Sequence, residues 1–186
     1  MEKVKNGYFI SARNSISRIE SDFNITPPMK KIDTPLSKET NLFKSKTRPL
    51  TATEYKQYRS IVGTLFYFAN TVRLYIAYPV SLLSQFLVSP QLDHLTSAKR
   101  VLQFLIQTKN EGIFYGVKDC PVSTIDARLI NCKTPANKLI DDYPKEEKYK
   151  IHVITDASFA TDEDRKFQSG YITLFNSNIV SWGFVI

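Results

Sequence analysis

The sequence predicts an α+β fold in which a mainly helical region precedes a sheet of antiparallel strands. Between residues 51 and 110, apolar residues recur at helical spacing in three successive stretches. From residue 150 onward, short runs of apolar residues are separated by turn residues, as in antiparallel strands. The 186-residue chain is 42% hydrophobic and 12% aromatic, which is enough to bury a core in one domain or two small ones.

The first 50 residues combine a short ordered start with an irregular basic segment. An extended piece is predicted at Gly7–Ile10, and the spacing of Ile16, Ile19 and Phe23 predicts a short amphipathic helix. Residues 26–49 contain prolines among many lysines. This composition opposes regular structure, because proline lacks an amide donor and restricts the residue before it. We interpret this segment as a basic linker.

Three helices are predicted next. The first begins at Thr51 and Glu54, which have the spacing of a capping box and precede an apolar stripe. The second runs from about residue 74 to residue 87, and an internal proline bends it or delays its start. For the third helix, Ser89 is the predicted cap residue and Pro90 is the predicted first helical residue.

Strands dominate the rest of the chain. A short strand is predicted at Ile113–Tyr115, and Ser123–Ile130 could add another within a polar, proline-containing connector. Three strands then form a predicted antiparallel meander: Lys150–Thr155, Gln168–Phe175 and Ile179–Ile186. Because no closing helix follows them, we expect one face and one edge of this sheet to lack a cover.

The charge of the chain bears on its partners. The formal net charge is +7 and the sequence pI is about 9.3. Such a surplus favours a partner rich in phosphate, although it also occurs on proteins that bind no nucleic acid.

The cysteines and the N-terminus bear on the compartment. Cys120 and Cys132 are too few for a disulfide framework and lack metal-ligand spacing, which predicts a reducing, intracellular compartment, the cytoplasm or the nucleus. No signal peptide and no membrane-spanning segment are predicted, so a membrane partner is not expected.

Asp156 is the candidate catalytic and metal-binding residue. It follows the apolar residues 152–154 and precedes the acidic residues 162–164. A carboxylate at the end of a strand can hold a magnesium ion at the rim of a sheet, but an aspartate there is also a common turn or cap residue. A calcium loop is not supported, because Thr161 and Phe167 stand where an EF-hand has glycine and glutamate.

Several motifs occur in a fixed order between residues 58 and 182. They are Tyr58–Leu65, Thr71–Ile76, His94 with residues 98–102 and Thr108, residues 156–171, and Ser181–Trp182. In this order they resemble the Pol polyprotein of copia-type (Ty/copia) long-terminal-repeat retrotransposons, from the end of the reverse transcriptase into the start of the ribonuclease H domain. Residues 6–36 resemble the segment that follows the polymerase site in this family.

The resemblance implies a domain organisation. It assigns residues 1–50 to a remnant of the polymerase palm plus the basic linker, and residues 51–117 to a thumb- or connection-like helical region. Residues 118–149 form a connector, and residues 150–186 form a truncated ribonuclease H-like domain with its first three strands.

The resemblance also implies roles for single residues. Asp156 matches the first ribonuclease H carboxylate, and the family's carboxylates together hold two Mg²⁺ ions. Lys99 and Arg100 match a helix near the primer-template, so they either contact phosphate or face solvent. The sequence Arg73–Ile76 departs from the family's arginine-proline-aspartate-isoleucine motif, losing the proline and the acid.

Both catalytic centres of the family are incomplete in this sequence. The polymerase motif Tyr-x-Asp-Asp and the other ribonuclease H carboxylates are not found. We therefore expect a truncated Pol product that is inactive and needs no cofactor as an isolated chain, since one carboxylate cannot hold two metal ions.

Two further functions stay open. The chain could be a module that binds an RNA–DNA hybrid or duplex or interacts with an intact polymerase, or it could be a ribonuclease H completed in trans. The uncovered sheet favours association with intact Pol or self-association. Phe66, Tyr67 and Phe68 could stack on bases, but at helical spacing we interpret them as core.

Overall fold

A computed structural model of the chain describes residues 1–4, 7–23, 31–37, 42–45, 47–116, 151–158, 168–176 and 178–185. In these ranges it contains four α-helices and two three-stranded sheets, which confirms the predicted α+β class. The chain divides into two compact units. One is helical and comprises Ser11–Gly112; the other contains the strands and comprises Met1–Ile10 with Ile113–Val185.

The helical unit is built around one hydrophobic core. Its helices are α1 (Arg13–Asp22), α2 (Ala52–Thr71), α3 (Ala77–Ser84) and α4 (Leu92–Gln107), with 3-10 helices at Leu42–Lys44 and Leu74–Ile76. The fully buried side chains of the core include Tyr58, Ile61, Leu65, Ile76, Leu83, Leu102 and Leu105. None of the described helices combines the length and the hydrophobicity needed to cross a bilayer.

The predicted start of α2 is confirmed. The Thr51 hydroxyl accepts a hydrogen bond from the Glu54 amide at 3.4 Å, and the Glu54 carboxylate accepts one from the Thr51 amide at 2.9 Å. Arg48 donates two further hydrogen bonds to this carboxylate, at 2.7 and 2.8 Å. The backbone amides of Thr51 and Glu54 at the start of α2 thus donate to side chains of the capping box.

The second predicted helix has the delayed start that was expected at its proline, and the third begins later than predicted. A 3-10 turn occupies Leu74–Ile76, so Pro79 falls in the first turn of α3. Backbone amides in the first turn of a helix donate no intrahelical hydrogen bond, so the lack of an amide hydrogen in proline costs nothing there. Helix α4 begins at Leu92, and Gln91 rather than Ser89 is its N-cap. The prediction that Ser89 caps this helix was therefore wrong. The cap of α4 is instead completed by the side chain of His94, which also contacts a distant segment of the chain.

The predicted linker contributes to the helical core. Ile32 and Leu42 are buried, and the Ile32 amide donates to the Gln107 side-chain oxygen at 2.9 Å. In the described part of residues 31–50 the prolines do prevent α-helices, as predicted. A few apolar side chains nevertheless fix this segment against the helices, so it is not a free linker.

The starts of α2 and α4 are joined through the backbone. Pro49 forms an isolated antiparallel bridge with Gln91. On either side of it, the Leu50 amide donates to the Pro90 carbonyl at 3.4 Å and the Leu92 amide donates to the Arg48 carbonyl at 3.1 Å. This short ladder connects the residues just before one helix with those just before the other.

The strand unit contains two sheets. The first has the order β1-β2-β3, from Glu2–Val4, Gly7–Ser11 and Gly112–Gly116; the second has the order β4-β5-β6, from Ile151–Ser158, Gln168–Phe175 and Asn178–Val185. The extended piece near residue 7, the strand near residue 113 and the C-terminal meander are thus confirmed. The possible strand Ser123–Ile130 and the acidic residues 162–164 lie outside the described residues.

The β4-β5-β6 sheet has one exposed apolar face. Strand pairing places Ile151 opposite Phe175, Val153 opposite Thr173, and Thr155 opposite Tyr171, so these side chains share that face. Its exposed apolar members are Ile151, Val153, Tyr171 and Phe175. The opposite face buries Leu174 and Ile179. The structure thus shows an apolar sheet surface open to solvent in its described part.

Candidate catalytic and nucleic-acid-binding sites

Asp156 lies inside a strand rather than at its end. Strand β4 continues to Ser158, three residues beyond the predicted end at Thr155, and pairs Asp156 with Gly170 of β5. The Asp156 side chain is exposed. The carboxylate therefore projects from a fixed backbone position on the sheet, which excludes the turn interpretation and leaves its catalytic role a prediction.

The described residues do not assemble a two-metal centre around Asp156. Across the ranges that the structure describes, no group of three or more His, Cys, Asp or Glu side chains is placed to hold a metal ion. Two-metal hydrolysis requires several carboxylates that hold ions about 4 Å apart. The donors present in the described part of the chain thus do not fit the magnesium pair that the resemblance implies.

The two cations predicted to contact nucleic acid have different surroundings on α4. Lys99 is exposed. Arg100 is half-buried, and its Nη2 donates to the Thr34 carbonyl at 3.1 Å. Part of the Arg100 guanidinium is therefore committed to holding residues 31–37, whereas the Lys99 ammonium is accessible to a phosphate.

His94, in the same matched motif, is structural. Its side chain is buried; Nδ1 accepts a hydrogen bond from the Gln91 amide at 2.9 Å, and Nε2 lies 3.0 Å from the Leu42 carbonyl. The imidazole also stacks on Phe86, with ring centroids 4.0 Å apart. It thus caps α4 and fixes the segment around Leu42, and it is not accessible to nucleic acid.

The outer face of α2 carries two aromatic residues that we predicted as core. Phe66 is 56% exposed and Tyr67 is 61% exposed, whereas Phe68 is buried. The core prediction was therefore wrong for two of the three. The helical period contains the missing signal, because Phe68 continues the buried stripe of Ile61 and Leu65 while its two predecessors point away from that stripe.

Cations and a groove accompany these exposed rings. Lys56 and Arg59 are exposed on α2, and the Arg59 guanidinium lies 5.8 Å from the centroid of the Tyr55 ring. A groove of about 320 Å³ lies against α1 and α2; it is lined by Ser15, Arg18, Ile19, Asp22, Thr64, Tyr67 and Phe68. Sequence spacing alone did not reveal this groove, because residues from two separate helices line it.

The perturbed titratable groups of the helical unit have structural roles. Hydrogen bonds from Arg48 and from the Thr51 backbone lower the pKa of Glu54 to about 2. Burial raises the pKa of Tyr75 to about 12 and also raises the pKa of Tyr58, whose hydroxyl donates to the Leu83 carbonyl at 2.6 Å. Clusters of such shifts often mark active sites, but these lie at a helix cap and within the helical core.

The ordered sequence motifs agree with comparisons to known proteins, which identify the class. The chain is homologous to a segment of copia-type retrotransposon Pol polyproteins. It is 40% identical over 106 residues to the putative transposon Ty5-1 protein of Saccharomyces cerevisiae, covering 57% of this chain and 33% of that protein.

Two plant polyproteins extend the similarity along the chain. The Retrovirus-related Pol polyprotein from transposon RE1 of Arabidopsis thaliana is 29% identical over 182 residues, or 97% of this chain and 10% of that protein. The one from transposon RE2 of Arabidopsis thaliana is 31% identical over 127 residues, or 68% of this chain and 7% of that protein. The chain thus spans a third or less of these relatives. No protein-family profile matches it, and no solved structure is similar to it.

Proposed function

We propose that the chain is a Pol-derived product, from the end of a reverse transcriptase and the start of a ribonuclease H, that is catalytically inactive by itself. The homology to Pol polyproteins supports the origin. The antiparallel meander supports the ribonuclease H part, since its first strand carries the matching carboxylate, Asp156. The observation that carries the inactivity is that the described residues gather no carboxylate cluster around this exposed side chain.

The direct test is ribonuclease H activity on an RNA–DNA hybrid with Mg²⁺. We expect the wild-type chain and Asp156→Asn to release no more RNA fragments than buffer, with an intact ribonuclease H as positive control. Cleavage by the wild type that Asp156→Asn abolishes would overturn the proposal, because Asp156 would then belong to a working metal site.

Nucleic-acid binding is a second candidate function, favoured by the exposed Lys99 and the net charge of +7. The logarithm of the affinity for a hybrid duplex should fall linearly with the logarithm of the salt concentration, because phosphate contacts release counterions. Lys99→Ala should weaken duplex binding and reduce this slope. Lys31→Ala is the matched control, since it removes the same charge from an exposed lysine outside α4. Equal effects of the two substitutions would contradict a role for Lys99.

Completion in trans is a third candidate, favoured by the exposure of Asp156 on β4. Carboxylates of another chain can reach a side chain that solvent reaches. Co-expression with the downstream segment of a copia-type Pol should then yield Mg²⁺-dependent cleavage that Asp156→Asn removes. If the mixture stays inactive while the downstream segment folds, this candidate is excluded.

A further inference from the structure

We propose that Thr34 is a modification site, phosphorylated by a proline-directed protein kinase, and that Arg100 of α4 binds the added phosphate. The kinase would transfer the γ-phosphoryl group of ATP. An O–P bond forms at Thr34 Oγ1, the P–O bond to ADP breaks, and the hydroxyl proton is released. Neither the Pol origin nor the catalytic inactivity is needed for this modification, so it can fail separately from the proposed function.

Thr34 has the sequence and the exposure of a kinase substrate. It is exposed, precedes Pro35, and lies in residues 31–37, which form no helix or strand. Proline fixes φ, lacks an amide hydrogen and favours an extended conformation in the residue before it. Proline-directed kinases select this pair because their substrate cleft offers no acceptor to an amide after the modified residue. The Thr34 hydroxyl donates to the Leu36 carbonyl at 2.8 Å, an exposed contact that water can replace.

Thr34 belongs to a strap, residues 31–50, whose described part runs along α4. Near the C-terminus of the helix, the Ile32 amide donates to Gln107 Oε1 at 2.9 Å. The backbone ladder at the start of α4 holds the other end of the strap. Between these two contacts, the Thr34 carbonyl accepts a hydrogen bond from Arg100 in the middle of the helix. The proposed modification site is therefore fixed opposite a particular side chain of α4.

Arg100 has the donors to bind a phosphate at this position. Its Nη2 donates to the Thr34 carbonyl at 3.1 Å, and its Nε is buried without a hydrogen-bond partner among the described residues. A phosphate would bring three acceptor oxygens to the residue that the guanidinium already contacts, and arginine binds phosphate through paired hydrogen bonds. Asp33 would repel the phosphate, but Lys31 offsets its charge through an ion pair at 3.4 Å.

Ser89 belongs to a similar pair that we expect to stay unmodified. With Pro90 it forms the other Ser/Thr-Pro pair in the described part of the chain. Pro90 is buried, its carbonyl accepts a hydrogen bond from the Leu50 amide at 3.4 Å, and α4 begins two residues later. A kinase cleft binds extended residues after the acceptor, whereas here they are helical. Ser89 is therefore an internal negative control for Thr34.

Phosphorylation would hold the strap more firmly and reduce the positive charge along α4. The phosphate would add a charge of about −1.5 to −2 beside the helix that carries the exposed Lys99. The modified chain should then bind a hybrid duplex more weakly than the unmodified chain. This consequence rests on the Lys99 candidate, whereas the modification site does not. Unchanged duplex affinity after modification would overturn the consequence.

The first test is phosphorylation of the full chain by a purified proline-directed kinase with Mg²⁺ and ATP, mapped by mass spectrometry. Thr26 and Thr134 also precede prolines and lie outside the described residues. Both are replaced by valine, so that Thr34 and Ser89 are the Ser/Thr-Pro sites that remain. We expect phosphate on Thr34 and none there after Thr34→Val. An unmodified Thr34, or preferential modification of Ser89, would overturn the proposal.

The second test asks whether Arg100 binds the phosphate. Amide exchange of Ile32, measured by NMR, reports how firmly the strap is held, because this amide donates to α4. Phosphorylation should slow this exchange about 10-fold, the effect of one added hydrogen bond between charged groups. Arg100→Ala should remove the slowing, and Arg100→Lys should keep part of it. Lys99→Ala is the matched control, because it deletes the neighbouring exposed cation, and it should keep the full slowing.

Circular dichroism and urea unfolding establish that each variant is folded. Slowing of the same size in the wild type and in Arg100→Ala would overturn the assignment of Arg100 as the phosphate-binding residue. Faster exchange of Ile32 after phosphorylation would also contradict the proposal, because the phosphate would then release the strap from α4 instead of holding it.

Discussion

The Arg73 guanidinium donates a hydrogen bond to the Lys109 carbonyl oxygen at 3.0 Å, although solvent does not reach Arg73 at all. This contact joins the segment after α2 to the segment after α4. Among the described residues, Arg73 Nε and Nη1 have no hydrogen-bond partner, and the guanidinium lies 5.8 Å from the centroid of the Tyr75 ring. The Lys109 carbonyl, just beyond the C-terminus of α4, therefore stabilises the buried cation.

Truncation of this side chain should destabilise the helical unit. We expect Arg73→Ala to lower the free energy of unfolding by about 1–3 kcal/mol, because it leaves the Lys109 carbonyl without its donor and opens a void. Urea unfolding measures the change. Arg59→Ala, at an exposed arginine of α2, is the matched control and should change it by no more than about 0.5 kcal/mol. Similar midpoints for both variants would show that the buried contact contributes nothing.

Glu54 should make stability depend on pH in the acidic range. Its pKa is lowered from the ordinary value of 4.5 to about 2, chiefly by the hydrogen bond from Arg48. The unfolded chain then binds the proton more readily than the folded chain. The stabilisation from Glu54 is therefore complete above pH 4.5 and is lost as the pH falls from there towards about 2.

Thermal unfolding followed by circular dichroism at decreasing pH tests this dependence. Glu54→Gln removes the titrating group, so its melting temperature should fall less steeply than that of the wild type in this window. Glu2→Gln, at an exposed acid of β1, is the control and should follow the wild-type profile. Parallel curves for the wild type and Glu54→Gln would contradict the assignment.

His94 should contribute to stability through its two ring nitrogens. His94→Phe keeps a ring against Phe86 but leaves the Leu42 carbonyl and the Gln91 amide without their partner. We expect a loss of about 1–3 kcal/mol and faster amide exchange in the first turn of α4. Thr96→Val is the control, because the exposed Thr96 hydroxyl donates only within its own helix, to Leu92. Unchanged exchange in His94→Phe would exclude the capping role.

We propose that the exposed face of the β4-β5-β6 sheet associates with a second copy of the chain. The described side chains of this face are uncharged, so two copies can pack together despite the net positive charge. Val153→Lys should reduce concentration-dependent association in sedimentation velocity, because a lysine would be buried there. Val88→Lys places the same change at an exposed valine of the other unit. A monomeric wild type, or equal association of both variants, would count against this face.

The sequence predicted elements whose chemistry is local. Thr51 and Glu54 are three residues apart and complete their capping box without help from elsewhere. Asn176 begins the predicted turn between β5 and β6, and its φ of 46° is a conformation that asparagine tolerates better than most residues. Such features lie within a few residues of one another, so they can be identified before the fold is known.

The errors arose where distant residues decide the structure. The cap of α4 depends on His94, whose other ring nitrogen contacts Leu42, 52 residues away. The burial of Ile32 depends on a core built by helices that follow it. The core prediction for Phe66 and Tyr67 was wrong for a different reason. Three adjacent residues of a helix point in three different directions, so they cannot all face the core.

The backbone ladder between Pro49 and Gln91 connects the starts of two of the longest helices of the helical unit. The ladder fixes the distance between the first turns of these two helices. Adding a single residue between Arg48 and Thr51 would rotate α2 by about 100° against that anchor. The same insertion would then turn its apolar stripe towards water and its aromatic rings towards the core.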